Sequence, residues 1–490
     1  MNLSGPAAWL DNPIFVKHVR SRLSRQNLTS GVVIVGVLSL LLAWFGISNN
    51  AFADSRVFHF NLVMQAIILV IIGSSQVGTT VSATRESGIL DFHRISPLSP
   101  WSLMLGFFFG APVLQYVLFA ITVPMSLLCV VFGGVPPSTA LELTLVLFLV
   151  AWLFQAIAML SALVSKRPTK GGPVGLIVLL VIFGGNAIGM IMSNWAGLRE
   201  GLTAPFFDLD LPWILNALIY LLPPTVFALI ASMRKIRSER AHTLSKLQSL
   251  AFLATATVLV LGGVWRVKNQ GYIVMIVLYA LVILGLFMCL TITPTAGEYA
   301  RGVRRAARRG RKHLHFLDDL AMNRVALVML CGLVLLGATI AWNCIEGRQP
   351  NGQSFSLSIA VGVLTVAYFG LGYQWFALVA PGRAASYLAI SVFLIWVVPV
   401  IAIPIAAAAQ MPEPVMAALG GFTPVTGLAM ASGQDLGVRS PDVVRLAALV
   451  PAIGLPFLLN NLVVAQRRRI DALAQGLVPV EKPEVALDGA

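Results

Sequence analysis

A short charged segment, residues 82–106, lies among the long apolar runs of this chain. The segment reads SATRESGILDFHRISPLSPWSLMLG, and Arg85, Glu86, Asp91 and Arg94 fall within ten positions. Guanidinium and carboxylate groups at this density are suited to ion pairs and charge-assisted hydrogen bonds with another protein surface. We interpret the segment as a short charged helix at the cytoplasmic surface and not as a catalytic centre.

Enzyme motifs are absent from the sequence. There is no G-x-x-x-x-G-K-[ST] phosphate loop, no G-x-S-x-G elbow and no H-E-x-x-H pair. His313 and His315 fall on different sides of a helix with no further ligand nearby, and the four cysteines have no ligand spacing, so no metal site is predicted. We expect a protein that is not an enzyme and holds no cofactor of its own.

The composition is that of a membrane protein. Of the 490 residues, 58% are hydrophobic and 11% are charged, whereas soluble domains carry about 25% charged residues. Runs of 18 or more apolar residues predict helices, because a helix satisfies its own backbone in lipid. The predicted fold is an all-α polytopic membrane protein with about twelve spans, at 31–48, 58–82, 101–132, 140–164, 173–193, 212–233, 247–265, 271–292, 324–342, 355–380, 385–408 and 442–465.

The basic residues predict the orientation. The net charge is +14, and Lys and Arg are concentrated in alternate loops, which fits twelve spans with both termini cytoplasmic. We therefore attribute the positive charge to orientation in the membrane and contact with anionic lipid, and not to nucleic-acid binding. We expect a multi-pass protein of a bacterial-type cytoplasmic (inner) membrane, with membrane lipids among its partners.

The loop lengths predict a duplication. In each set of six spans the longest inner loop follows the second span, and the longest outer loop precedes the sixth. Parallel repeats of this kind occur in transporters. The predicted organisation is a cytoplasmic interface helix (1–30), a first six-span unit (31–246), a second six-span unit (247–466) and a cytoplasmic tail (467–490).

Two amphipathic helices are predicted at the membrane surface. Ile89, Phe92 and Ile95 share one side of the first, which ends near Ser96, and Leu90 falls off this apolar arc. Ser99 and Pro100 fit the N-cap and first position of the next helix. An ordinary charged loop is the alternative.

The second helix starts at Asn12-Pro13. Phe15, Val16, Val19 and Leu23 lie on its apolar face, and Lys17, His18, Arg20, Arg22 and Arg25 lie among the basic and polar positions. It fits an interfacial helix, with an unstructured basic segment as the alternative.

The most basic loop, residues 297–324, has no assigned role. Arg301, Arg304, Arg305 and Arg308 recur at helical spacing. Such a loop suits an acidic partner or anionic lipid head groups, and a topology anchor is the simpler explanation.

The segments DNPIFVKHVRSRL and RESGILDFHRISPLSPWSLMLG resemble the start of ABC exporter permeases of the second type. Glu86, Gly88, Ile89, Leu90 and the SPLS element at 96–99 match the cytoplasmic helix between the second and third spans of that family. The resemblance implies that this helix couples to a separate ATPase subunit carrying ATP and Mg²⁺, with the N-terminal helix beside it. It departs from the family because the chain holds two six-span units and the second lacks the element.

The expected function is therefore the membrane subunit of an ATP-driven exporter. The predicted contacts with the ATPase are Arg85, Glu86, Ser87, Gly88, Asp91 and Arg94, with Lys17, Arg20 and Arg22 on the interface helix. No central charge lies within the spans, although ion-coupled carriers usually need one. Amides such as Gln65 and Gln155 are expected to tie helices together.

Three questions stay open at this point. A twelve-span carrier of the major facilitator type and a membrane enzyme acting on lipid-linked sugars are the alternative functions. The apolar interior favours a lipid, amphipathic peptide or hydrophobic drug as substrate. The complex contains one chain, or a homodimer, or a second permease.

Overall fold

The computed structural model describes residues 12–49, 56–96, 98–165, 203–239, 241–265, 271–311, 314–315, 318–322, 324–343, 352–380, 383–412, 415 and 441–474. The chain divides into two units, Met1–Thr243 and Leu244–Ala490. This division falls close to the predicted boundary at 246/247. The predicted fifth span (173–193) lies outside the described residues.

The described part of the first unit contains nine helices and a two-stranded sheet. Their bounds are α1 Pro13–Arg22, α2 Arg25–Ser48, α3 Arg56–Ala66, α4 Gly73–Glu86, α5 Ile89–Ile95, α6 Pro100–Gly110, α7 Val113–Phe132, α8 Pro137–Val164, β1 Thr203–Phe206, β2 Leu209–Pro212 and α9 Trp213–Arg237. A π-helical segment, Ile67–Ile72, joins α3 to α4. The strands pair antiparallel, with Thr203 opposite Pro212.

The described part of the second unit contains eight helices. Their bounds are α10 Lys246–Val264, α11 Gly271–Ile292, α12 Ala296–Arg308, α13 Arg324–Asn343, α14 Gly352–Val379, α15 Ala384–Val392, α16 Val398–Ala408 and α17 Pro441–Ala474. A second π-helical segment, Phe393–Val397, joins α15 to α16. The axes of α11, from Val277, and α12 differ by 58°.

The helices fit the predicted all-α polytopic membrane protein. Among the described residues, seven helices are long and apolar enough to cross a membrane, or eight if the bent pair α11–α12 is one span. The short β-hairpin is a departure from an all-α chain. The third predicted span, 101–132, is not one helix, because the turn at Ala111 and Pro112 separates α6 from α7.

The core of the first unit near the charged segment lies between α4, α6, α8 and α9. Val77, Leu103, Phe107 and Met159 are buried there, and Ile236 joins them from the end of α9. Small residues such as Ala156 and Ala162 allow the helix backbones to approach closely. The ends of these four helices therefore pack together next to the charged segment.

Amides and hydroxyls join the helices of the first unit. Gln65 Nε2 donates to Thr122 Oγ1 at 2.9 Å, which joins α3 to α7. Gln155 on α8 donates from Nε2 to the Leu69 carbonyl oxygen (3.3 Å) and accepts from Tyr116 (3.0 Å). Leu69 lies in the π-helical segment, where the regular hydrogen-bond pattern is interrupted. The prediction that Gln65 and Gln155 tie helices together is confirmed.

Lys246 is buried at the start of α10 in the second unit, although the sequence places it in an exposed inner loop. Its side chain is 2% exposed, and Nζ donates to the carbonyl oxygens of Asp318 (2.5 Å) and Ala321. Its backbone N–H donates to Asp319 Oδ1 at 3.2 Å. Lys246 thus fixes residues 318–322 to the start of α10.

Candidate coupling surface

The turn between α4 and α5 depends on a glycine. Gly88 has φ 71°, in the left-handed region, and an added Cβ would meet no atom within 4 Å. Its N–H donates to the Arg85 carbonyl oxygen (3.1 Å), and its own carbonyl accepts from Asp91 N (3.1 Å). Glycine is therefore needed for its backbone conformation and not for space. The short helix predicted up to Ser96 is confirmed as α5, a seven-residue helix.

Leu90 anchors α5 in the core. It is 1% exposed and belongs to the cluster that contains Val81, Leu103 and Ile236. Ile89, Phe92 and Ile95 are 39%, 66% and 83% exposed. Leu90 lies off the side formed by Ile89, Phe92 and Ile95, as predicted, and it is Leu90 that is buried while that apolar side is exposed. Burial of one leucine against three helices favours a single position for a helix too short to be stable alone.

Arg94 attaches α5 to the C-terminal end of α9. Nε donates to the Ile236 carbonyl oxygen at 2.9 Å, and Nη2 donates to the Lys235 carbonyl oxygen at 3.0 Å. Nη1 pairs with Asp91 one turn earlier. A cation at the free carbonyls of a helix end satisfies hydrogen-bond acceptors and the helix dipole together.

Arg85 does the same for α8. Nη1 donates to the carbonyl oxygens of Ala162 (3.3 Å) and Ser165, and Nη2 pairs with Glu239 Oε1 at 2.9 Å. Glu239 Oε2 also lies 4.0 Å from Arg94 Nη1. The two arginines expected to contact a partner thus bind carbonyls of their own chain, and Glu239 lies between them.

The remaining part of α5 and its turn is open to solvent. We call the exposed residues Glu86, Ser87, Gly88, Ile89, Asp91, Phe92 and Ile95 the coupling surface. Three large apolar side chains are flanked by two carboxylates. Exposed aromatic and aliphatic side chains next to charged groups are typical of a protein contact.

Helix α1 packs on α6. The predicted N-cap is confirmed, since the Asn12 side chain accepts from Ile14 N at 3.0 Å, and its Nδ2 donates to the Ser102 carbonyl oxygen at 2.5 Å. A Cβ on Gly106 would lie 2.8 Å from Ile14 Cβ. This glycine is therefore required by the close approach of the two helices.

The buried side of α1 differs from the predicted one. Ile14 and His18 are buried, whereas Phe15, Val16 and Val19 are only half-buried. The His18 ring lies 5.5 Å from that of Phe107. The assignment of His18 to the polar face was wrong, because the contact with α6 selects the Ile14–His18 side.

The basic residues of α1 divide into two groups. Lys17 and Arg20 are exposed, and Arg22 donates from Nη2 to Thr80 Oγ1 on α4 at 2.8 Å. Burial, followed by the charges of Lys17, Arg22 and His93, lowers the pKa of His18 to about 4. Burial and then Lys17 also lower the pKa of His93 on α5. Neutral imidazoles therefore lie where α1 approaches α5.

Sequence reasoning missed the residues that hold α5 in place from elsewhere in the chain. Glu239 and the carbonyls of Ala162, Ser165, Lys235 and Ile236 are each at least 77 positions in the sequence from the arginine that they contact. A carbonyl carries no sequence signal, because every residue has one. The sequence offered one hint, because basic residues lie at the ends of both helices: Lys166 and Arg167 follow α8, and Arg234, Lys235 and Arg237 are in the last turn of α9.

Compared with family models, curated proteins and solved structures, the chain gives no match.

Proposed function

We propose that the chain is the membrane-spanning permease subunit of an ATP-driven exporter, and that the coupling surface binds a separate ATPase subunit. The sequence resemblance to ABC exporter permeases of the second type motivates the class. The observation that carries the proposal is the arrangement of α5: it is fixed to the chain on one side and exposes Ile89, Phe92 and Ile95 on the other.

The attachment of α5 suits the transmission of force. Leu90 joins it to the core between α4 and α6, and Arg94 joins it to the end of α9. Arg85, on the preceding turn of α4, joins the end of α8. A force applied to α5 would therefore be transmitted to α4, α6, α8 and α9. In the proposed mechanism ATP and Mg²⁺ bind the partner, and closure of the ATPase dimer tilts these helices to alternate access.

The proposed substrate is hydrophobic or amphipathic, such as a lipid, a peptide or a drug. The support is the chemistry of the described spans, which hold amides and hydroxyls but place Glu142 and Lys246 at helix ends. Glu142 Oε2 accepts from Trp213 Nε1 at 2.5 Å, a contact between α8 and α9. Neither residue is placed to carry a coupling ion through the centre of a bundle.

Substitution of the exposed apolar residues tests the proposal. Phe92→Ala and Ile95→Ala should each weaken association with the ATPase subunit that the proposal requires by about 5- to 30-fold, the range of a buried interface anchor. Substrate-stimulated ATP hydrolysis should fall in parallel. Association is measured by co-purification and by titration of the ATPase into the purified permease.

Ile47→Ala is the matched control, since Ile47 is 73% exposed at the far end of α2 and Ile95 is 83% exposed. The control should bind the ATPase as the unaltered chain does. Unchanged association in both α5 variants and in Glu86→Ala would rule the proposal out. Transport driven by an ion gradient without an ATPase would favour the twelve-span carrier.

A further inference from the structure

Helix α12, in the most basic loop of the chain, has two faces of different chemistry. Tyr299, Gly302, Val303 and Ala306 form its inner face and are buried. Tyr299 and Val303 pack with Met322, Leu378 and Val463. The helix is thus a docked part of the second unit, and its outward face has a defined direction.

Several contacts fix that direction. Tyr299 donates its hydroxyl to Asp471 Oδ1 at 2.6 Å, and Arg467 lies over the Tyr299 ring at 5.7 Å, both from α17. At the other end, Thr295 and Glu298 form a reciprocal cap of the helix start. A Cβ on Gly302 would lie 2.9 Å from Leu320, so segment 318–322 covers the inner face closely.

The outward side carries four arginines, which we call the arginine face: Arg301, Arg304, Arg305 and Arg308. All four are exposed. Arg301 Nε donates to the Gly297 carbonyl oxygen at 3.3 Å. Within the described ranges, the guanidinium groups of Arg304, Arg305 and Arg308 make no hydrogen bond or ion pair. Their separation along the helix places charges at successive turns on one side.

The carboxylates of the same region are used in other contacts. Glu298 accepts from Thr295 N and Oγ1, both at 2.9 Å. Asp319 accepts from Lys246 N, and Asp471 accepts from Tyr299. Asp318 accepts from Leu320 N at 3.0 Å. The charge of the arginine face is therefore not neutralised by the acids that surround it in the described part of the unit.

The arginine face differs from the coupling surface in lacking an apolar anchor. Large hydrophobic side chains are exposed at Ile89, Phe92 and Ile95 on α5, but at none of the described positions 296–311. A protein contact normally needs such anchors, whereas a phosphate needs only guanidinium donors and charge. Helix α12 also begins three residues after α11, which the sequence predicts to be a span, so its arginines are expected close to the membrane boundary.

We propose that the arginine face binds the phosphate head groups of anionic phospholipids. Guanidinium groups pair with phosphate oxygens in bidentate geometry, and the anionic leaflet attracts basic segments near its surface. The contact would hold α12, and through Tyr299 the end of α17, against the membrane. This role is independent of the proposed export function.

The test is lipid selection by the full chain. Purified protein is reconstituted into nanodiscs of phosphatidylcholine in which about a third of the lipid is phosphatidylglycerol, and the lipids retained after mild extraction are measured by native mass spectrometry. The unaltered chain should retain phosphatidylglycerol preferentially, and the preference should fall with salt. Each basic residue strengthens binding to an anionic surface about fivefold. The triple variant Arg301→Gln, Arg304→Gln and Arg308→Gln should therefore reduce the preference for phosphatidylglycerol about a hundredfold.

The matched control replaces the same three arginines with lysine, which keeps the charge but loses the bidentate geometry, so the preference should fall by less than in the glutamine variant. Phe92→Ala should leave lipid selection unchanged. The proposal is overturned if the glutamine variant selects lipid as the unaltered chain does, or if it instead loses an acidic protein partner while lipid selection persists. If the glutamine variant does not fold, the salt dependence of the unaltered chain provides the test. A preference for phosphatidylglycerol that does not fall with salt would overturn the proposal, because a contact between exposed charges is screened by salt.

Discussion

At the scale of single residues, a side chain's role depends on which neighbour it meets. Arg85 and Arg94 belong to a conspicuous charged motif, yet both donate to carbonyls at the ends of α8 and α9. Leu90, an apolar residue of the same motif, is almost fully buried. The side chains left for a partner are the apolar ones. Arg85, Leu90 and Arg94 therefore position α5, whereas the exposed side chains are the ones that another molecule can contact.

The buried histidine of α1 should make the α1–α6 contact sensitive to acid. The pKa of His18 in the folded chain is about 4, below the unfolded value of about 6.5. The unfolded state therefore binds the proton more tightly, and stability should fall as the pH drops from about 6.5 to 4, with no further loss below. In His18→Leu the melting temperature should vary less between about pH 7 and pH 5 than in the unaltered chain. Equal slopes would contradict the assignment.

At the scale of elements, short helices take their position from longer ones. α5 has seven residues, and α6 has eleven before the turn at Ala111 and Pro112. Isolated helices of this length are marginal. They are ordered here by Leu90 in the core and by α1, whose Ile14 lies against Gly106. The direction in which α5 leaves α4 is set at Gly88.

A single methyl group at Gly88 should disturb this turn. Gly88→Ala places a Cβ in the left-handed region, which costs about 1–2 kcal/mol, although no atom obstructs it. Gly36→Ala on α2 is the control, because its site is equally open but helical, and there alanine should stabilise by about 0.5–1 kcal/mol. Thermal unfolding and protease cleavage near residue 88 measure the difference. Equal effects at the two glycines would show that the turn is not strained.

At the scale of the whole molecule, the two units carry different surface helices, which agrees with the absence of a second SPLS element from the sequence. The loop after the second span of the first unit forms α5, with an exposed apolar side. The loop between α11 and α13 in the second unit forms α12, with an exposed arginine side. The two loops therefore present different surfaces, apolar on α5 and basic on α12.

The predicted topology can be tested across the whole chain. Six predicted spans separate Ser87 from Arg309, so cysteines introduced at these two positions should react from the same side of the membrane. A cysteine at Asp208, in the turn between β1 and β2, should react from the other side. The background is a variant with Cys129, Cys289, Cys331 and Cys344 replaced by serine. Labelling of Ser87→Cys and Arg309→Cys from opposite sides would require an odd number of spans between them.

The sequence by itself determined the features that depend on local chemistry. Long apolar runs must be helices in lipid, since no water satisfies the backbone there. Asn12-Pro13 and Ser99-Pro100 start helices because their side chains and fixed φ complete the first turn. These rules need only neighbouring residues, which is why the predicted helix starts were confirmed.

The tertiary structure alone decided which side of each surface helix is buried and what the charged motif binds. The pattern of α1 indicates a helix but not that α6 offers glycines opposite Ile14 and His18. The pattern of α5 indicates charge but not that the ends of α8 and α9 present free carbonyls to Arg85 and Arg94. Such choices depend on residues distant in sequence that meet only after folding, because side-chain contacts follow from packing and not from periodicity.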